Sequence, residues 1–172
     1  MKKILIYLLV FAFLLLASCT SSREPRELFS ESMTITARLN GSTATFCAYF
    51  SAEGCDIVFD KDHILFGTSL HFGKDKSTAT VYDFTREIKK GCFPAHEMLI
   101  KAVKLLASTE ENGVWCENGV KYTIDEMTIM VYYEKDAGAV TGIETEENGR
   151  RFGFTVVSLE PYEAQSNGQG RS

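Results

Sequence analysis

The hydrophobic period of this chain changes twice, and that change limits its possible folds more than any other feature. Met33, Ile35, Ala37 and Leu39 alternate with Thr34, Thr36 and Arg38, the period of a half-buried strand. Near residue 94 the period lengthens. Met98, Leu99, Ala102, Val103, Leu105 and Leu106 fall on one helical stripe, with Lys101 and Lys104 opposite, and Pro94 suits a first helical turn. The spacing predicts a helix from about 94 to 108, ending in the turn Glu110-Glu111-Asn112-Gly113 and packing on a sheet. Alternation returns at Val114 and lasts to Leu159. Two meanders thus flank one helix. Their links are short and turn-rich (Asn40-Gly41, Gly73–Lys76, Asn118-Gly119, Asn148-Gly149), so neighbouring strands run antiparallel. The expected class is α+β, with about nine antiparallel strands and one main amphipathic helix.

Several local expectations follow. Thr43–Phe50 and Cys55–Phe59 form a hairpin around Ser51-Ala52-Glu53-Gly54, with Phe50 opposite Cys55 and Cys47 opposite Val58. Cys47 and Cys55 then lie on opposite faces, which argues against a bridge between them. Cys47, Cys55, Cys92 and Cys116 allow three pairings, or serve as small buried hydrophobes. Ile64–Phe72 is expected as a strand. Met127–Glu134 is apolar on both faces, with Met127, Ile129, Val131 and Tyr133 on one and Met130 and Tyr132 on the other.

The N-terminus has its own logic. Met1-Lys2-Lys3 is cationic, and Ile4 to Ala17 is apolar and uncharged, too short for the ~20 residues of a spanning helix. Leu16-Ala17-Ser18-Cys19 resembles the lipobox of bacterial lipoprotein precursors. That resemblance implies a signal peptide over 1–18, cleavage before Cys19, and a diacylglyceryl group on the Cys19 thiol as the membrane anchor. Thr20, where an Asp would mark inner-membrane retention in diderm bacteria, is compatible with a diderm outer membrane or the membrane of a monoderm. Residues 19–27 then read as a lipidated tether and 161–172 as a flexible tail, around a domain spanning 28–160. Loss of Lys2 and Lys3 leaves 16 cationic residues against 23 acidic ones, a net charge of −7. Such a chain repels polyanions, which argues against nucleic acid as a partner.

The order of meander, Pro-started helix and second meander behind a lipobox resembles the LolA-like lipoprotein-carrier superfamily. The residues that carry it are Phe93-Pro94 at the helix start, the hairpin Asp136 to Ile143, and the closing strand Phe152 to Val157. The resemblance covers roughly 28–160. It implies a curved, incomplete antiparallel barrel with the helix on its concave face, and an apolar concavity that holds a lipid or other hydrophobic ligand. Phe46, Phe50, Phe59, Phe66, Phe72, Met98 and Met130 are the expected lining. The chain departs from the carriers in having a lipobox of its own and one clear helix. The alternative is a solid-core, surface-displayed interaction module, or an accessory subunit of an envelope complex.

No catalytic constellation is visible. His63, His71 and His96 are dispersed, and His96-Glu97 lacks the second His of a zinc helix, so His96 reads as polar surface in the first helical turn. Asp56, Asp60 and Asp62 gather near a turn but lack the glycine and terminal glutamate of a calcium loop. The expectation is a non-enzyme without metal or cofactor.

Overall fold

The computed structural model describes residues 24–161. Residues 1–23, which hold the expected signal peptide and Cys19, and residues 162–172 lie outside the described residues. A short 3-10 turn, Pro25–Leu28, leads into β1 (Met33–Leu39), β2 (Phe46–Ser51), β3 (Gly54–Phe59), β4 (Thr68–Gly73), β5 (Ser77–Val81) and β6 (Phe84–Ile88). Helix α1 (Pro94–Ser108) follows, then β7 (Val114–Cys116), β8 (Gly119–Ile124), β9 (Met127–Glu134), β10 (Ala139–Glu147) and β11 (Arg150–Pro161). All eleven strands form one open antiparallel sheet, ordered β6-β5-β4-β3-β2-β1-β11-β10-β9-β8-β7. The two meanders join where β1 pairs with β11 (Ile35 opposite Leu159), and α1 carries the chain from one edge strand to the other.

The sheet has eleven strands rather than about nine, and its two edge strands bury little apolar surface. β7 has three residues, all exposed, and β6 is exposed at four of its five. Elsewhere alternation dictates the core. Met33, Ile35 and Ala37 of β1 share one face with Phe46, Ala48 and Phe50 of β2, Cys55, Ile57 and Phe59 of β3, and Ile129 and Val131 of β9. Helix α1 buries Met98, Leu99, Ala102, Val103 and Leu106 in the same cluster, leaving Lys101 and Lys104 exposed. At its start no side chain caps from Phe93; Glu97 instead accepts from the Gly91 N–H through both oxygens, at 2.7 and 2.9 Å. An acidic group there also suits the positive end of the helix dipole.

The β2–β3 register matches expectation, with Phe50 opposite Cys55 and Cys47 opposite Val58; all four described cysteines are free thiols. Asn148-Gly149 turns β10 into β11 with φ of 51° and 74°, the left-handed pair that a two-residue hairpin demands. Three expectations are corrected. Asn40-Gly41 does not close a tight hairpin, and β2 starts at Phe46 rather than Thr43. Asn40 is drawn to β11, its N–H donating to Gly153 O at 2.8 Å and its Oδ1 accepting from Thr155. Asn118-Gly119 is not the centre of its turn either: Gly119 already pairs in β8, where an added Cβ would sit 2.1 Å from Val131 O. The fourth strand begins at Thr68 rather than Ile64, because residues 61–67 coil into turns, with His63 N–H donating to Asp60 O and Phe66 N–H to His63 O.

Candidate ligand-binding groove

The seven expected lining residues divide by their place in the sheet. Phe46, Phe50 and Phe59 are sealed beneath α1 in the core, and Phe46 meets Phe154 edge-on at 6.3 Å. Met130 is half-buried on the opposite face of the sheet from Ile129 and Val131. Phe66 lies in the β3–β4 loop and is 63% exposed. Phe72 and Met98 both border one feature among the described residues, a groove of about 1210 Å³ between α1, the β4–β5 turn, the segment after β6 and the β10–β11 hairpin.

The groove exists because the first meander outruns the helix. Strands β5 and β6 contribute no fully buried residue; Ala79 and Ile88 are only partly packed against the core. These strands form a wing beside α1. The floor is apolar, made by the partly exposed Ile88 and Leu105 and by the edges of Phe72, Met98 and Ile100, which are otherwise buried in the core. The rim is cationic: Lys74 and Lys76 on the β4–β5 turn, Lys89 and Lys90 after β6, Lys101 and Lys104 on α1, and Arg150 on the far hairpin. Four carboxylates share it, two of them already engaged: Glu97 accepts from Gly91 N–H and Glu147 pairs with Lys101. Sequence reasoning missed this site, although six lysines between positions 74 and 104 of an acidic chain are its signal.

At the outer end of the wing, two adjoining segments expose Ile64 (96%), Phe66, Val81, Tyr82 (83%) and Phe84 (80%). Tyr82 N–H donates to Gly67 O at 3.4 Å, joining the segments, and Tyr82 holds φ of 53°. A bulky residue in the left-handed region is strained by ~1–3 kcal/mol.

His96 is not polar surface. It is half-buried, with ring centroids 4.9 Å from Phe46, 5.6 Å from Phe59 and 6.1 Å from Phe93. Burial, and then the proximity of His63, pushes its pKa down to about 4. His63 stacks 4.4 Å from Phe59, and its Nδ1 accepts from Leu65 N–H; burial lowers its pKa too. The acidic trio disperses. Asp56 bonds His71 at 2.7 Å, while Asp60 accepts from Thr45 Oγ1 and Lys61 N–H, which hold its pKa down. Among the described residues no three or more His, Cys, Asp or Glu side chains are grouped to hold a metal ion.

Residues 24–28 dock on the domain: Arg26 donates to Thr109 O at 2.9 Å, to Asn112 Oδ1 at 3.0 Å and to Glu24 at 2.8 Å. Glu24 in turn accepts from Gly113 N–H at 2.7 Å, and Tyr122 OH accepts from the Arg26 N–H. Burial, then the Glu24 carboxylate, pushes Tyr122 up to about 12, so its hydroxyl stays protonated. Sequence alone shows polar residues here, whereas the structure shows each with a partner. Among the described residues no helix is long and apolar enough to cross a membrane. No protein-family model matches the chain, and no curated protein matches it either.

Proposed function

We propose that this is a membrane-anchored envelope lipoprotein, tethered by lipid on Cys19, that binds an amphiphilic ligand along the groove beside α1. The observation that carries the reading is the groove's apolar floor, where Ile88 and Leu105 are partly exposed beside the nearly buried Phe72, Met98 and Ile100. The LolA-like half-barrel is part of the same proposal, with one shift. The aromatic concavity under α1 is occupied by core packing, so the ligand takes the lateral groove instead. Its chemistry is binding rather than catalysis. Two outcomes test it. Replacing Cys19 with Ser moves the protein from the membrane fraction to the soluble fraction, and retention in the membrane overturns the anchor. Lipid recovered by organic extraction of the purified protein falls severalfold in Leu105→Glu, which places a charge on the floor. Equal recovery from both proteins overturns the groove.

A second reading draws on the wing tip. Ile64, Phe66, Tyr82 and Phe84 form an exposed apolar cluster of the kind that marks interaction surfaces, and the strained Tyr82 turn sits within it. That favours an interaction module acting through the wing. Tyr82→Ser with Phe84→Ser abolishes partner association under this reading and leaves lipid recovery unchanged.

A further inference from the structure

We propose that the groove selects amphiphiles with an anionic headgroup, an inference that rests on reading it as an amphiphile site. Charge is distributed unevenly over the molecule. Residues 24–161 hold 14 Lys and Arg against 22 Asp and Glu. The groove takes seven of the cations and only four of the acids, which leaves seven cations against 18 acids elsewhere. The net acidity of the chain therefore hides one basic site.

Six of these seven cations are not spent on salt bridges among the described residues. Lys101 bonds Glu147, but Lys74, Lys76, Lys89, Lys90, Lys104 and Arg150 form no salt bridge among the described residues. They also come from four separate segments around a common apolar floor. The seven cations outnumber the four carboxylates that share the groove, so a bound anion reduces the net repulsion there. An inorganic anion would leave the floor uncovered, and a neutral lipid would leave the rim unpaired. A single molecule with an apolar tail and an anionic head satisfies both, the tail over Phe72, Met98 and Leu105 and the head among the lysines. Lysines, flexible point charges, suit a headgroup bound without fixed geometry.

The test uses the full-length chain in phosphatidylcholine nanodiscs. Trace lysophosphatidylglycerol or lysophosphatidylcholine, each carrying a diazirine on its tail, is photolysed and the labelled peptides are mapped. The proposal expects labelling at the peptides holding Phe72, Met98 and Leu105, about tenfold stronger for the anionic lipid. The combined variant Lys74→Gln, Lys76→Gln, Lys89→Gln, Lys90→Gln loses that preference. A matched variant outside the groove, Arg38→Gln with Lys61→Gln and Lys121→Gln, keeps it. Equal labelling by both lipids overturns headgroup selection and leaves the amphiphile site standing. No groove labelling by either lipid overturns the site itself. Competition by glycerol phosphate as effective as that by unlabelled lysophosphatidylglycerol shows a phosphate site instead and likewise overturns the proposal.

Discussion

His96 shows how one side chain ties stability to pH. Its neutral ring packs among Phe46, Phe59 and Phe93, and its pKa drops to about 4 against an ordinary 6.5. Between those values the unfolded chain binds the proton more readily than the folded one, so stability falls as pH falls. The penalty comes to about 3 kcal/mol near pH 4, is complete only below it, and fades above pH 6.5. Urea midpoints should therefore drop steeply from pH 6.5 to 4, and much less steeply in His96→Leu. His63 is displaced in the same direction, so a smaller slope persists in the variant. An unchanged slope would mean that the imidazole is hydrated rather than packed. Cys55 follows the same logic in the opposite sense: burial, then the Asp56 charge, raises its thiol pKa and makes it unreactive, while Cys92 and Cys116 are exposed.

At the scale of elements, the 3-10 turn Pro25–Leu28 acts as a clamp. Arg26 joins the loop after α1 to the chain entering β1, through Thr109, Asn112 and Glu24. Arg26→Ala should cost about 1–2 kcal/mol, since charge-assisted bonds are strong but this side chain is partly exposed. Thermal unfolding would measure that loss, and limited proteolysis should cut near residue 28 faster; an unchanged cleavage rate would contradict the clamp. What sequence revealed of the elements follows from how local their causes are. Helix α1 was legible because its stripe, its Pro94 and its bounds lie in fifteen consecutive residues. The β2–β3 register was legible because alternation fixes which side chains can meet. The turns at Asn40-Gly41 and Asn118-Gly119 were not, because distant partners decide them: Gly153 captures Asn40, and the Val131 carbonyl requires a glycine at 119. Phe66 was placed on a strand by its hydrophobicity alone, although residues around it turn back on themselves.

For the whole molecule, one open sheet carries two different environments. Over β1–β3 and β8–β11 the helix seals an aromatic core, and there the expected lining became packing. Beyond β4 the helix no longer covers the sheet, which leaves the groove on one side and the exposed wing tip at its end. No short window of sequence encodes that mismatch, because it depends on where an eleven-stranded sheet outgrows a fifteen-residue helix. The lysine spacing was readable, but its convergence required the fold. An amphiphile is the proposed occupant of this uncovered region. Native mass spectrometry of the fragment from Thr20 onward tests it most directly. Adducts of lipid mass should be present, vanish on denaturation, reappear in the organic extract and be absent from Leu105→Glu. A bare protein mass, still bare after incubation with membrane lipids, would contradict it.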